Sequence, residues 1–419
     1  MASAKGSTHE NAPSQILSTR LAWAMLLALA SAFTLSQAFR TVAAIMGPPL
    51  AGELNLSPQQ LGLWAAAFHF AFGLMQLVMG VSIDLFGVRR TVLAAFPMAI
   101  LGAVLSASAQ GYVPLLLGQV LIGTGCAPAF LACTIFIARH FHHDRFTSTS
   151  GLIMSVSGLG VLATATPMAW LIEASSWRWA FGVLSVVAVA AWASIWHLVH
   201  EPTEPGERRD QNRPSAWAAL REMLLLFKLP HTAGLIAYAA VTYAGFITLR
   251  GLWLGPMLIE RHGLSLVESG NVALLMTLAN MASPAIFGRL DPGGARRVRW
   301  MLTLSTIGAL VLGTMGVMAL EWVDIALAIG YGVMSGYGIL QYGYVREAYA
   351  ANVRGRALSL FTMAMFLGIS LMQWVTGIAA SLAQAAGIEP YSVVLLTMSG
   401  MLLTGAFAFW KLPKQIKAS

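Results

Sequence analysis

The sequence predicts an all-α integral membrane protein with twelve transmembrane helices, arranged as two related bundles of six. Of the 419 residues, 57% are hydrophobic and only 10% are charged, whereas ordinary soluble domains carry roughly 25% charged residues. The apolar residues form long runs, each near the ~20 residues that a helix needs to cross the hydrocarbon core. In addition, the second half of the chain repeats features of the first.

Hydropathy places the spans between short polar loops. Backbone groups inside a bilayer need hydrogen-bond partners within their own segment, so each apolar run is predicted to be helical. The first run is too long for the apolar core of a signal peptide. The predicted spans cover residues 21–50, 58–82, 90–109, 112–138, 147–173, 179–199, 232–259, 266–288, 299–319, 323–345, 356–383 and 389–411.

Basic residues are concentrated in alternate loops. One side of the predicted membrane collects 21 of the 25 Lys and Arg, and the other side has only Arg178 and Arg261. Loops rich in Lys and Arg stay in the cytoplasm, so both termini are predicted to be cytoplasmic and the protein to lie in the inner membrane. The net charge of +8 then reflects orientation in the lipid bilayer, and no nucleic-acid partner is expected.

A polar stretch at residues 200–231 divides the spans six and six. For its part from Pro214 to Phe227, a helix on the inner membrane surface and a plain linker are both open. The predicted organisation is a cytoplasmic N-terminus at 1–20, a first bundle at 21–199, a cytoplasmic linker at 200–231, a second bundle at 232–411 and a cytoplasmic C-terminus at 412–419.

Two sequence motifs recur at nearly one offset. The segment Asp84-Leu-Phe-Gly-Val-Arg-Arg90 returns as Asp291-Pro-Gly-Gly-Ala-Arg-Arg297, 207 positions later. The segment that begins Gly47-Pro-Pro-Leu returns as one that begins Gly255-Pro-Met-Leu, 208 positions later. Internal repeats of this kind indicate a binding site between the halves, near the middle of the membrane.

The loop after the second span, from Gly80 to Arg90, resembles the signature of the major facilitator superfamily. The resemblance implies secondary transport and a loop that governs switching at the cytoplasmic end. The predicted gating residues are Asp84, Arg89, Arg90, Asp291, Arg296 and Arg297. Helix capping and membrane orientation are the alternative roles for these charges. No phosphate-binding glycine loop is visible, so ATP is not expected as the direct energy source. No nucleophile–base pair and no set of metal ligands is visible either, so no cofactor and no enzymatic activity are expected.

Arg40 and Arg250 lie inside predicted spans, where a charge costs several kcal/mol and is a functional hypothesis by default. Two facing guanidinium groups would bind phosphate or carboxylate through parallel hydrogen bonds. The segment from Arg40 to Gly62 is similar to the organophosphate:phosphate antiporters of the superfamily, which implies a substrate-binding arginine in each of spans 1 and 7. Arg250 departs from that spacing by two residues, about 200° of helical rotation, unless the helix is distorted near Gly251 or Gly255. Snorkelling or helix bracing is the alternative for Arg40.

Further polar residues within spans are candidates for the same cavity. His69 titrates near neutral pH, so it is either a carrier of a coupled proton or a histidine hydrogen-bonded between helices. For the other four, hydrogen bonding between helices is the default. These candidates are Gln37, Gln119, Tyr243 and Gln373.

The expected function is movement of a small organic anion, carboxylate or organophosphate, by alternating access. No carboxylate lies clearly at mid-membrane, which disfavours proton coupling through a carboxylate relay. A coupled proton would then be carried by His69 or by the substrate itself, whereas exchange with a counter-anion needs no relay. A monomer is expected. One alternative is a proton-driven exporter of drugs or other amphiphiles, although span 5 lacks the Gly-Pro doublet typical of such exporters. Another is a membrane receptor that senses an anion without moving it, although no attached signalling domain is evident.

Overall fold

A computed structural model describes residues 19–141, 146–200, 221, 225–350 and 353–414. The described part contains twelve helices long and apolar enough to cross a membrane, which confirms the predicted fold class. Most of the linker, including most of the predicted surface helix, lies outside the described residues. Spans 1 to 12 are Arg20–Thr41, Pro58–Ile83, Val88–Ala107, Tyr112–His140, Ser148–Ala174, Trp177–Leu198, Pro230–His262, Leu266–Arg289, Gly294–Met318, Glu321–Ala348, Arg354–Ala385 and Pro390–Lys411.

Helix breaks occur at equivalent positions in the two halves. The first helix of span 1, Thr19–Thr41, is followed at once by a second, Ala43–Leu54, and span 7 is interrupted by a π-helical turn, Leu249–Trp253. Span 4 breaks after Tyr112–Cys126, and span 10 has a 3₁₀ turn at Gly336–Gly338. Interrupted helices in corresponding positions of two repeats are typical of transporter binding sites.

Glycines let the helices of each half approach closely, and they do so in the same way in both halves. At each position a Cβ would clash with a backbone oxygen of the neighbouring span, so only glycine fits. The contacts are Gly123 on Phe68, Gly332 on Met276, Gly160 on Thr34 and Gly368 on Ala240. The offset of about 208 positions is therefore repeated in the packing, not only in the sequence.

The two halves contact each other on the side that carries Asn55 and Gly263, here called the far side. Gly62 of span 2 packs against the backbone of Gln373 in span 11, and Gly270 of span 8 packs against the backbone of Thr166 in span 5. Gly255 packs against the carbonyl of Ala44. These close backbone contacts join the halves at this end of the molecule.

Candidate functional site

Arg40 is buried at the end of the first helix of span 1, between side chains of both halves. The residue is 6% exposed. Its guanidinium carbon lies 5.1 Å from the centre of the Phe72 ring and 4.7 Å from the centre of the Phe366 ring. Nη1 donates a hydrogen bond of 3.5 Å to the Tyr243 hydroxyl. Phe72 belongs to span 2, whereas Phe366 and Tyr243 belong to the second half, so the charge lies at the boundary between the halves.

His69 joins span 2 to span 11 through a hydrogen bond. Its Nδ1 lies 3.1 Å from Oε1 of Gln373 and 3.2 Å from the carbonyl oxygen of Ala65. The imidazole is stacked near the Phe366 ring, with 6.5 Å between ring centres and 16° between ring planes. Arg40 and His69 therefore lie against the same aromatic ring.

Arg250 is fully buried within the π-helical turn of span 7. Nε donates a 2.9 Å hydrogen bond to the Thr277 hydroxyl of span 8, and Nη2 donates a 3.2 Å hydrogen bond to the carbonyl of Val161 in span 5. The helix is thus distorted around Gly251, because a π turn contains more residues than an α turn. Its hydrogen bonds direct Arg250 toward spans 5 and 8, whereas Arg40 is held by spans 2, 7 and 11.

A break in span 5 supplies the acceptor for Arg250. The Ala165 amide donates to the carbonyl of Leu162, three residues back, instead of the carbonyl of Val161 four residues back. The Val161 carbonyl is left outside the helical ladder and also accepts a 2.9 Å hydrogen bond from the Thr164 hydroxyl. A buried guanidinium needs such a polar partner, since its N–H groups cannot reach water.

The charged neighbours of Arg40 and Arg250 differ from those of Arg297, the other buried arginine among the described residues. In the part of the chain that the structure describes, no carboxylate oxygen lies within 4.0 Å of either guanidinium. The arginines with carboxylate partners pair as Arg178 with Glu53, Arg261 with Asp324 and Glu389, and Arg297 with Asp291 and Glu347. Two positive charges therefore lie between the halves without a nearby carboxylate.

Gln37 and Gln119 surround the site less directly. Gln37 is partly buried and lies one turn before Arg40 in span 1. Gln119 is 2% exposed and lies one turn before Gly123, which packs against the backbone of Phe68 beside His69. Gln37 thus lies on the span that carries Arg40, and Gln119 lies on a span that packs against span 2 within the first half.

Two predicted gating residues of the second half, Asp291 and Arg297, belong to an ion-pair network. Asp291 accepts hydrogen bonds of 2.7 Å from both Nε and Nη2 of Arg297, and Nη1 of Arg297 lies 2.8 Å from Glu347 in span 10. Burial opposes ionisation of Asp291, but hydrogen bonds from Arg297 and the Gly293 amide lower its pKa overall. The network ties together the ends of spans 8, 9 and 10.

The corresponding residues of the first half have different surroundings. Arg89 donates a 3.0 Å hydrogen bond to the carbonyl of Trp196 and lies 5.6 Å from the centre of its ring, which joins span 3 to span 6. Arg90 and Arg296 are exposed. The side chain of Asp84 is not among the described ones.

Three residues were not predicted from the sequence: Phe72 and Phe366 at the Arg40 site, and Asp324 beside Arg261. The two phenylalanines carry no local signal, because aromatic residues are common in any span. Asp324 is fully buried and lies 3.0 Å from Arg261 Nη1 and 2.8 Å from His262 Nε2. A carboxylate inside a predicted span is a signal that would have identified it.

The sequence pattern of the Major Facilitator Superfamily matches residues 28–373 of the chain. The chain belongs to the Major Facilitator Superfamily. It is therefore a transporter and not an enzyme. A crystal structure of a D-xylose–proton symporter superposes with a TM-score of 0.72, at 16% identity, over 94% of this chain and 98% of that one, which shows the common fold.

The names of the sequence relatives describe different kinds of transport. An MFS-type efflux pump of Mycolicibacterium smegmatis is 25% identical over 93% of this chain and 92% of its own length. A hexuronate transporter of Bacillus subtilis is 24% identical over 56% of this chain and 55% of its own length. A probable galactarate/D-glucarate transporter of the same organism is 24% identical over 64% of each chain. The match thus spans most of the efflux pump, but under two thirds of the other two relatives.

Proposed function

We propose that this chain moves small organic anions, carboxylates or organophosphates, across the inner membrane by alternating access. The observation that supports the proposal is the environment of Arg40. Its guanidinium is buried between the two halves, and among the described residues it has aromatic rings and a hydroxyl as neighbours but no carboxylate within 4.0 Å.

An isolated buried charge is unfavourable because the protein interior solvates it poorly. The rings of Phe72 and Phe366 offset part of that cost through cation–π attraction, worth about 0.5–2 kcal/mol each. A bound carboxylate or phosphate would offset much more, since it neutralises the charge and accepts two parallel hydrogen bonds from the planar group. Arg40 therefore favours anionic over neutral substrates.

Binding at Arg40 would be linked to movement of the halves. Phe366 and Tyr243 come from the second half, so the contacts of Arg40 change when the halves rock against each other. A substrate that neutralises Arg40 would lower the cost of the occluded state. Arg250, whose Nη1 is buried without a described partner, is the second positive charge at this boundary. Gln37, His69, Gln119 and Gln373 would complete the site.

Charged residues outside the Arg40 site support an orientation in the membrane and a position for the cytoplasmic gate. The far side would face away from the cytoplasm, as the distribution of basic loops predicts. The network of Asp291, Arg297 and Glu347, with its counterpart around Asp84, Arg89 and Arg90, would then brace the cytoplasmic gate. The names of the hexuronate and galactarate/D-glucarate relatives support a carboxylate substrate.

Efflux of apolar or amphiphilic compounds is the second candidate function. The relative that matches over most of this chain is an efflux pump. In addition, an open groove of about 560 Å³ lies between spans 1, 5 and 6, and its lining is almost entirely apolar, including the exposed side chains of Leu27, Leu159 and Val187. A transporter of this kind would depend little on Arg40.

A ligand panel on the purified protein separates the two candidates. Ligands that bind the native state raise its melting temperature, by the equivalent of about 2.7 kcal/mol at 100 times Kd. We expect D-glucuronate, galactarate and glycerol 3-phosphate to raise it, and D-xylose and ethidium to leave it unchanged. Arg40→Ala should abolish the shift, and Arg40→Lys should weaken binding by about tenfold or more, because lysine lacks the planar fork.

Arg299→Ala is the matched control, since Arg299 is an exposed arginine at the start of span 9. It should retain the full response to anions. Uptake of the same anions into proteoliposomes then tests movement as opposed to binding alone. Stabilisation by ethidium or D-xylose only, or an unchanged anion response in Arg40→Ala, would contradict the anion proposal.

A further inference from the structure

His69 is a buried ionisable residue at the contact between the two halves. It lies near the middle of span 2 and is 1% exposed. Its hydrogen bond to Gln373 crosses from the first half to the second. Movement of span 11 relative to span 2 therefore changes the surroundings of the imidazole, as alternating access requires of a coupling group.

The hydrogen bonds identify the nitrogen that can gain a proton. The carbonyl of Ala65 can only accept, so Nδ1, 3.2 Å away, carries a hydrogen and donates. Nε2 is then the basic nitrogen of the neutral ring. Nε2 is buried and has no hydrogen-bond partner among the described residues.

Arg40 is the charged residue that lies against the same Phe366 ring as His69. Among the described residues, the other ionisable side chains near Arg40 are Cys126 of span 4, Tyr243 of span 7 and Tyr342 of span 10, all uncharged in their ordinary state. Span 11, packed along span 2, contributes the uncharged Gln373. Asp324, the buried carboxylate among the described residues, is paired instead with Arg261 and His262.

This arrangement links anion binding to protonation. Without substrate, a proton on His69 would be a second positive charge on the ring that Arg40 already contacts, and like charges repel. An anion bound at Arg40 removes that repulsion. If a bound anion raises the proton affinity of His69 by some factor, then a proton on His69 strengthens anion binding by that same factor, because linkage is reciprocal.

We propose that His69 takes up one proton at Nε2 when an organic anion binds at Arg40, and that proton and anion cross the membrane together. The proton comes from water on the side that is open during binding, and it returns to water when the anion leaves on the other side. This inference rests on the proposed anion transport and names its coupling ion.

The pH dependence of binding tests the link. For native protein, Kd for D-glucuronate should fall by up to about tenfold per unit as pH is lowered from about 8 to about 6. Glucuronate itself stays ionised there, because carboxyl groups titrate near pH 4. In His69→Gln the Kd should be independent of pH. His231→Gln is the matched control. His231 is also buried, and its Nε2 has no partner among the described residues, but it lies against Tyr349 at the beginning of span 7, away from Arg40.

A transport assay separates proton coupling from movement of the anion itself. In proteoliposomes with an imposed pH gradient, native protein and His231→Gln should accumulate glucuronate, while His69→Gln should not. Exchange of internal for external glucuronate at equal pH needs no net proton movement, so exchange by His69→Gln should be slower than native but measurable and independent of pH. A cooperative melting transition of His69→Gln shows that the variant folds. Gradient-driven accumulation by His69→Gln, or the same pH slope as the native protein, overturns the inference. Failure of the native protein to bind any anion would instead overturn the proposed function.

Discussion

Glu53 and Arg261 occupy equivalent positions in the two halves, 208 residues apart, and carry opposite charges. Glu53 pairs with Arg178 at 2.5 Å, and Arg261 pairs with Glu389 at 2.6 Å. The first pair fastens span 1 to span 6, and the second fastens span 7 to span 12. The two halves thus keep the same attraction with the charges exchanged, and each pair stays within its own half.

Acid should destabilise the protein through these pairs. Hydrogen bonds from Arg178 and Trp177 lower the pKa of Glu53. Burial acts against ionisation of Glu389, but hydrogen bonds from Arg261 and Ser392 lower its pKa overall. A lowered pKa stabilises the fold above the unfolded value, about 4.3, and that contribution is lost as pH falls through the folded value. We expect the melting temperature to drop below about pH 4.5.

Glu389→Gln should show a smaller acid-induced drop than native protein, when melting temperature is followed by tryptophan fluorescence. Glu173→Gln, which alters an exposed carboxylate of span 5, serves as the control and should follow the native curve. Identical curves for native protein and Glu389→Gln would show that this pair does not contribute.

Loss of the Asp324 carboxylate should be costly. Arg261 is buried against it, with 5% of the arginine side chain exposed, and His262 is its other partner. Breaking a buried ion pair on one side leaves the other charge poorly solvated, so Asp324→Asn should lower the free energy of unfolding by about 3 kcal/mol. Denaturant titration in micelles measures this value. Glu321→Gln, at an exposed position one turn earlier, should change it by less than about 0.5 kcal/mol.

A methyl group at Gly255 should separate the halves on the far side. A Cβ there would lie 2.0 Å from the carbonyl oxygen of Ala44, so Gly255→Ala should open that contact and impair transport. Ala380→Cys reports the opening, because Ala380 is 1% exposed and lines a far-side cleft of about 120 Å³, and both native cysteines are buried. Labelling by an impermeant maleimide should rise several-fold. The rise is at least about threefold if the equilibrium between the closed and open far side shifts by ~0.7 kcal/mol toward the open state. In Gly52→Ala, where a Cβ meets open space, labelling should not change.

Removal of an aromatic partner should weaken the anion site in a graded way. Phe366→Leu keeps an apolar side chain but removes the ring nearest to Arg40. Without this cation–π contact, worth about 1 kcal/mol, Arg40 is positioned less well for the anion, so the Kd for D-glucuronate should rise by about fivefold. Phe407→Leu, at a position 58% exposed in span 12, is the control. Equal Kd values in both variants would mean that the ring does not position the guanidinium.

The Asp291 network should control the rate of transport, not the affinity. Asp291→Asn removes the charge that Arg297 contacts twice, and loosening spans 8 to 10 should slow conformational exchange. We expect the maximal uptake rate to fall about tenfold while Kd stays within about twofold. Arg296→Ala, which removes an exposed charge, should lower the maximal uptake rate less than Asp291→Asn does. A change in Kd alone would argue against a gating role.

The fold was predictable because its signals are local. Apolar runs, loop charges and the repeat each appear within a short stretch of sequence, and the twelve spans follow from them. Arg40 was also predictable, since a charge in an apolar run is conspicuous. The partners of Arg250 were not, because they depend on a helix break in span 5, nearly 90 residues away. The meeting of Phe72 with Phe366 likewise depends on packing between spans that are distant in sequence.

The break in span 5 also bears on how fast the halves can move. Val161 belongs to the first half and Arg250 to the second, so rocking that parts spans 5 and 7 must pull the guanidinium away from that carbonyl. During such a step the buried N–H would have no acceptor, which raises the activation barrier by about 1–3 kcal/mol, a factor of roughly 5 to 150 in rate. An anion that supplied a replacement acceptor would lower this barrier, so that the loaded carrier turns over and the empty one stays at rest.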